Sequence, residues 1–246
     1  MPAAWIEGLV QPGRELRGTG NGVLCALGPD DPGSPYDRRA ATYDRLVGNS
    51  LYNRVVWSSS PASYAAFAAT AVADSDGPLL DVGCGSAVFT ADAYRSTGRA
   101  LILVDRSLGM LALAAERLRG HDPARVAFVQ ADLFDLPFRP GSFTTVACHG
   151  LLHLFDNPAE VIRALRAHVA PAGSLYATSL VAETAIGGRA LALLHRAGEA
   201  AIPRRERELA TVARAELGAL TEVRREGSMV FLTAVPRHAG ISHRDI

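Results

Sequence analysis

Five short apolar runs punctuate the middle of the chain, near residues 79–82, 100–104, 126–130, 144–148 and 174–179. Each is four to six residues long and ends in polar or glycine-rich sequence, as buried strands do. Stretches with apolar residues at helical spacing separate them, at Phe89–Ser96, Leu108–Arg119 and Pro158–His168. A further helix, Pro61–Ala73, precedes the first run, with a proline in its first turn. Strands alternating with helices predict an α/β protein with a doubly wound, mostly parallel sheet. After the fifth run come two more helical stretches, Gly187–Ala200 and Pro203–Leu217. Leu220–Arg225 and Met229–Val235 then flank Glu226-Gly227-Ser228 and read as a closing hairpin. The hairpin brings the expected sheet to seven strands and gives it an antiparallel edge strand.

The first 35 residues break this pattern. They are crowded with turn residues, including Gly18-Thr19-Gly20-Asn21-Gly22 and Asp30-Asp31-Pro32-Gly33-Ser34-Pro35. Val23–Leu27 is the one apolar run there, a candidate short strand or homodimer contact. From Tyr36 to Trp57 helical spacing returns, interrupted near Gly48-Asn49-Ser50. The expected organisation is an extension and lid over 1–60, a main domain over 61–238 with a helical insertion near 186–218, and a tail over 239–246.

Chemistry concentrates at the ends of the first three runs. Leu79-Leu80-Asp81-Val82-Gly83-Cys84-Gly85-Ser86 is a strand that ends in an acid and breaks into a glycine turn. Such a turn brings bare backbone and helix N–H groups to the edge of the sheet where ligands bind. The dinucleotide fingerprint asks for Gly or Ala at the position of Val88, and a carboxylate at Asp81 would repel a phosphate but attract an ammonium group. The second run ends at Asp105, twenty residues after Gly85, a spacing suited to both hydroxyls of a ribose. The third leads to Asp132, which can accept from the amine of an adenine while Leu133 packs on its ring. An amine, a ribose and an adenine without phosphate describe S-adenosylmethionine.

With these residues in place the chain resembles the class I S-adenosylmethionine-dependent methyltransferases, of the UbiE-like small-molecule type. Leu79–Ser86 resembles the first family motif and Val104-Asp105-Arg106-Ser107 the acidic loop after the second strand. Gln130-Ala131-Asp132-Leu133 resembles the adenine-side motif. The segment Phe143–His153 resembles the fourth strand and the loop that faces the transferring methyl, and Leu165–Leu175 the turn into the fifth strand. Tyr36–Asp44 matches the family's lid pattern, two Tyr-Asp pairs bracketing an alanine. Two departures are Ala172, where the family has glycine, and Thr145, where an aspartate is common. The resemblance implies a Rossmann-like methyltransferase fold and contacts to the cofactor from Tyr43, Asp81, Gly83, Cys84, Gly85, Asp105, Arg106, Asp132, Leu133 and His149. It also makes His153 the candidate base toward a hydroxyl acceptor; His195 on the insertion is a weaker candidate to reach the substrate.

Composition narrows the alternatives. Twenty-five basic and twenty-five acidic residues cancel, which argues against non-specific nucleic-acid binding. Three scattered cysteines show no metal spacing and point to reduced thiols in a cytoplasm. No apolar run reaches the roughly 20 residues that span a membrane. The expected partner is a small, partly apolar methyl acceptor, with oxygen as the favoured atom. A fold relative that binds the same cofactor but catalyses a cyclisation would carry identical motifs; a nicotinamide dehydrogenase is disfavoured by Val88 and Asp81, and a non-catalytic interaction protein by the intact motifs.

Overall fold

The structure, a computed structural model, describes residues 4–34, 37, 40–120, 122, 124–218 and 220–235; the Tyr43 side chain and Tyr36 lie outside the described part. In chain order the elements are α1 (Ala4–Glu7), β1 (Arg17–Gly18), β2 (Val23–Cys25), α2 (Ala40–Val47), α3 (Ser50–Tyr52), α4 (Pro61–Ala73), β3 (Leu79–Val82), α5 (Ala91–Arg95), β4 (Leu101–Asp105), α6 (Leu108–Arg117), β5 (Val126–Gln130), β6 (Phe143–Cys148), α7 (Pro158–Arg166), β7 (Val169–Leu180), α8 (Ala185–Arg196), α9 (Glu206–Leu217), β8 (Glu222–Glu226) and β9 (Met229–Ala234). A π-helical turn, Asn53–Trp57, follows α3.

All nine strands join one sheet in the order β1-β2-β5-β4-β3-β6-β7-β9-β8. The seven strands expected from the sequence occupy β5 to β8 in that order. Strands β3 to β7 run parallel, and β9 and β8 close the far edge antiparallel. The irregular extension adds two more: Val23–Cys25 pairs parallel with β5, and β1 folds back on it. The extension therefore spends its apolar run on its own sheet.

Alternation along each strand feeds a different layer. Leu80, Val82, Ile102, Val104 and Val146 face a core shared with α7 and α9, through Ile162, Leu165, Leu209 and Ala213. Leu79, Leu101, Leu103 and Ala147 face the opposite layer, with Ala68, Tyr94 and Leu111 of α4, α5 and α6. Period-two alternation in fully buried strands needs apolar residues on both faces, which is why the runs are continuous. Helix α4 starts where Pro61 follows Ser60, whose hydroxyl accepts from the Ala62 N–H at 3.2 Å.

At the N-terminal edge of the sheet, buried Arg99 ties several elements together. Its guanidinium donates to the Val72 and Gly77 carbonyls, both at 2.8 Å, and to the Thr145 hydroxyl at 2.8 Å. Thr145, the position where the resembled family has an aspartate, is fully buried here. Burial lowers the Arg99 pKa while nearby Asp74 and Asp76 oppose that.

Candidate active site

The three acids lie at the C-terminal edge of β3, β4 and β5, as parallel register demands: Asp81 is level with Leu103, and Asp105 with Gln130. The glycine turn leaves β3 with Gly83 at φ +70° and Gly85 at φ +53°. A Cβ on Gly83 would meet Leu151 at 2.9 Å, so glycine there lets the loop after β6 approach. A Cβ on Gly85 would enter open space. That open space adjoins Asp105, whose two carboxylate oxygens accept from the Gly85 and Ser107 N–H groups, each at 2.8 Å. Burial raises the Asp105 pKa while these two N–H groups pull it down. Each of its oxygens keeps a further lone pair for a hydroxyl donor.

Asp81 is wholly buried. Its Oδ2 accepts from the Tyr94 hydroxyl at 2.7 Å, and its Oδ1 has no partner. Burial pushes its pKa up to about 7, opposed by Tyr94 and assisted by the charge of Asp105. Cys84 is a buried thiol beside it, its Sγ 3.4 Å from the Gly85 carbonyl oxygen.

Asp132 is more committed than the sequence implied. Its Oδ1 caps the 3₁₀ turn Leu133–Asp135 through the Phe134 N–H at 2.8 Å, and its Oδ2 pairs with Arg106. Arg106 in turn grips both oxygens of Asp31 in the extension, at 2.8 and 2.9 Å. Arg106 is thus held between two carboxylates, and an adenine amine would have to share Asp132 with it. Leu133 is half-buried against the core.

Asp37 and Asp44, in the segment before α4, are latched to the same loops. Asp37 accepts from the Ser107 hydroxyl at 2.5 Å and the Gly109 N–H at 3.1 Å. Asp44 accepts from the Ser86 hydroxyl and pairs with Arg117 at 2.6 Å. Farther along, the Ser228 N–H donates to the Trp57 carbonyl at 2.7 Å, and Glu226 accepts from the Ser60 N–H at 2.7 Å. Asp37 and residues 40–60 therefore run across the sheet edge from β4 to β9.

The two histidines after β6 part company. His149 lies against α4, its ring 5.6 Å from that of Tyr64 and 6.0 Å from that of Phe67. Both its nitrogens are shut off from solvent without a partner, and burial brings its pKa down to about 4. His153 instead lines a cavity of about 10 Å³ under the insertion, with Ser179, Leu191, Ile202, Arg204 and Leu209. That is room for about one water. Its Nδ1 has no partner, and burial and the Arg204 charge bring its pKa down to about 4 as well. The insertion is clamped onto this loop: Arg204 donates to the Phe155 and Asp156 carbonyls, and the Ala201 N–H to the His153 carbonyl. His195 is exposed at the end of α8, its Nδ1 3.1 Å from the Ala200 carbonyl oxygen, committed to its own helix end.

Among the described residues no group of three or more His, Cys, Asp or Glu is arranged to hold a metal, and no helix is long and apolar enough to cross a membrane. Residues 79–173, which carry the glycine turn and all three acids, match the family of methyltransferase domains. The part of the chain that carries the candidate site is thus similar to methyltransferase domains. A demethylmenaquinone methyltransferase from Clavibacter sepedonicus is 30% identical to this chain over 152 residues, 60% of this chain and 57% of that one. Across the curated relatives it matches, the chain spans 24% to 57% of their length. Among solved structures, an O-methyltransferase family protein from Burkholderia thailandensis superposes with a TM-score of 0.63 at 18% identity, covering 80% of this chain and 59% of that one. A geranyl diphosphate C-methyltransferase from Streptomyces coelicolor, complexed with S-adenosyl-L-homocysteine, superposes with a TM-score of 0.60 at 14% identity, covering 83% and 99%. At such identities the likeness concerns the fold, and the methyltransferase fold is what the sheet order displays.

Sequence reasoning missed Tyr94, Asp31 and Arg117 as parts of the site. Asp31 and Arg106 are 75 residues apart, and Asp44 and Arg117 73 apart, so no local spacing signals either pair.

Proposed function

We propose that this chain transfers a methyl group from S-adenosylmethionine to the oxygen of a small, partly apolar acceptor. What carries this is the open space over Gly85, whose N–H donates to the Asp105 carboxylate, together with the unpartnered Oδ1 of Asp81 on the neighbouring strand. Buried polar groups in folded proteins are almost all hydrogen-bonded, so an orphaned carboxylate oxygen at a sheet edge calls for a donor from a ligand. The residues suit the cofactor's parts: Asp105 for the ribose hydroxyls, Asp81 for the ammonium group, Leu133 for a face of the adenine. Arg106 positions Asp132 beside it, Gly83 and Cys84 shape the turn, and Tyr43 lies on the lid helix above.

When bound, the cofactor supplies an electrophilic methyl. The chain's share is to orient the acceptor and keep water out; positioning of this kind supplies roughly 7–11 kcal/mol of a barrier. His153 is the proposed base. Burial and the Arg204 charge keep it neutral at pH 7, and a pKa of about 4 makes it a weak base. Exposed Leu51 and Val55 on the lid and Ile186 on α8 support an apolar acceptor. The Clavibacter relative, named for a demethylmenaquinone substrate, supports a small-molecule acceptor and the UbiE-like subtype.

The first test is a thermal shift with S-adenosylmethionine, S-adenosylhomocysteine and NAD side by side. At 100 times the dissociation constant a ligand stabilises by about 2.7 kcal/mol. Both adenosyl ligands should raise the midpoint and NAD should not; a shift with NAD alone, or with none, overturns the reading. Asp105→Ala should leave the fold intact and abolish calorimetric binding of both adenosyl ligands. Undiminished binding would remove the ribose role.

A further inference from the structure

Two buried groups near the candidate cofactor space have unmet hydrogen-bonding capacity of opposite kinds. Asp81 offers a carboxylate oxygen with nothing donating to it. His149 is uncharged where it sits, and a neutral imidazole always carries one N–H, so whichever tautomer it takes one donor is unspent. The sheet places the two as neighbours. In the β3–β6 pairing Asp81 is level with Ala147. Cross-strand partners project to the same face, and a residue two further along projects there again. Leu79 and Ala147 both belong to the α4–α6 layer, and His149 meets Tyr64 and Phe67 of α4, so Asp81 and His149 face the same layer. Along the strand His149 lies about 7 Å beyond the level of Asp81.

The surroundings of His149 are built rather than incidental. The next residue, Gly150, has φ +69°, and its N–H donates to the Thr178 hydroxyl at 2.7 Å. Thr178 donates onward to the Tyr64 hydroxyl at 3.1 Å, fixing the ring that flanks the imidazole. A Cβ at position 150 would come within 3.0 Å of that same hydroxyl. Tyr64 also packs on Phe89 of the segment after the glycine turn, at 4.7 Å between ring centres, which joins the imidazole's box to the turn. An uncharged imidazole held in such a box, with no hydrogen-bond partner among the described residues, has an N–H that a bound ligand can take up.

We propose that His149 is a cofactor-binding residue that donates its N–H to the carboxylate of the cofactor's amino-acid head, while Asp81 takes the ammonium group at the other side of the same head. This assignment rests on the reading of the site given above and deepens it: the His149 side chain recognises the methionine end. A zwitterionic head satisfies both orphaned groups at once. A ligand lacking either charge leaves one of them buried and unpaired, so the arrangement selects for an intact amino acid.

Calorimetric affinities for S-adenosylhomocysteine and for its decarboxylated analogue, which keeps the amine, decide the matter. His149→Leu should weaken binding of S-adenosylhomocysteine about 10- to 100-fold, as expected for a hydrogen bond to a charged group. It should change affinity for the decarboxylated analogue less than about twofold. His149→Gln, which keeps an N–H donor, should recover part of the loss for the first ligand and nothing for the second; it also stands in if the leucine variant does not fold. Equal losses for both ligands would reduce His149 to a packing residue and overturn the proposal, as would no loss for either. Failure of the unaltered protein to bind S-adenosylhomocysteine would instead overturn the proposed function itself.

Discussion

Asp81→Asn is expected to make the ligand-free protein more stable and unable to hold the cofactor. The carboxyl is wholly buried, and its pKa stands at about 7, against an ordinary carboxylate value near 4. The folded state therefore holds this proton more tightly than the unfolded chain does. Any stability the group contributes is present below about pH 4 and is lost as the pH rises to about 7. Above that, folding carries the whole cost of a buried charge, about three units at 1.36 kcal/mol each, or roughly 4 kcal/mol. The groups facing it add to this: Asp105 is a like charge, the thiols of Cys84 and Cys148 are neutral, and only Tyr94 donates to it. Asparagine keeps an oxygen for Tyr94 and carries no charge. Urea unfolding at pH 5 and pH 8 should find the two proteins closer at the lower pH, with the variant ahead by a few kcal/mol at the higher one. A variant less stable than the parent at pH 8 would refute the burial argument. Binding should move oppositely: the parent's affinity for S-adenosylmethionine should rise from pH 5.5 to 8 as the carboxylate forms, and the variant should show neither the affinity nor the slope.

Arg99→Met should cost the fold at least 3 kcal/mol. The methionine fills most of the volume but leaves the Val72 and Gly77 carbonyls and the Thr145 hydroxyl without their donor in a buried place. Unsatisfied buried acceptors cost roughly 1–3 kcal/mol each. For a chain of this size that corresponds to a fall of roughly 10 °C in Tm. Chemical denaturation of the variant checks it, and a loss below 1 kcal/mol would mean that water takes over the acceptors. Affinity for S-adenosylmethionine should survive wherever the variant is folded, since Arg99 lies at the opposite end of the strands from the three acids.

The comparison of these two residues explains what the chain discloses before its fold is known. Asp81, Asp105 and Asp132 were legible because each ends an apolar run, and parallel strands carry their ends to one edge. The glycine turn was legible because positive φ and close approach leave few residue types to choose from. The closing hairpin announced itself through Glu226-Gly227-Ser228, and the two inserted helices through their period. Arg99 was not legible: its partners come from α4, the loop before β3 and β6, and only the packed sheet gathers them. The same holds for Tyr94, which reads as an ordinary apolar-face residue of α5, and for Asp31, one acid in a turn-rich stretch. The apolar run Val23–Leu27 announced a short strand but not its neighbour, because so short a run carries no signal that tells its own sheet from a partner's. His149 and His153, four apart, look equivalent in sequence; the fold sends one to the α4 layer and the other beneath the insertion.

The pairing of β2 with β5 sets a timetable for synthesis. Val23 lies level with Phe128, so β2, paired with β1 on one side, has no neighbour for its other edge until 105 further residues have been made. At about 5–20 residues per second that is a wait of roughly 5–20 s. During it an apolar strand with one bare edge is exposed on the nascent chain. The dense turns around it, Gly18-Thr19-Gly20-Asn21-Gly22 before and Pro29-Asp30-Asp31-Pro32 after, keep that strand to three residues. A segment so short offers other nascent chains little to pair with, and the extension reaches its own sheet before it finds a stranger's.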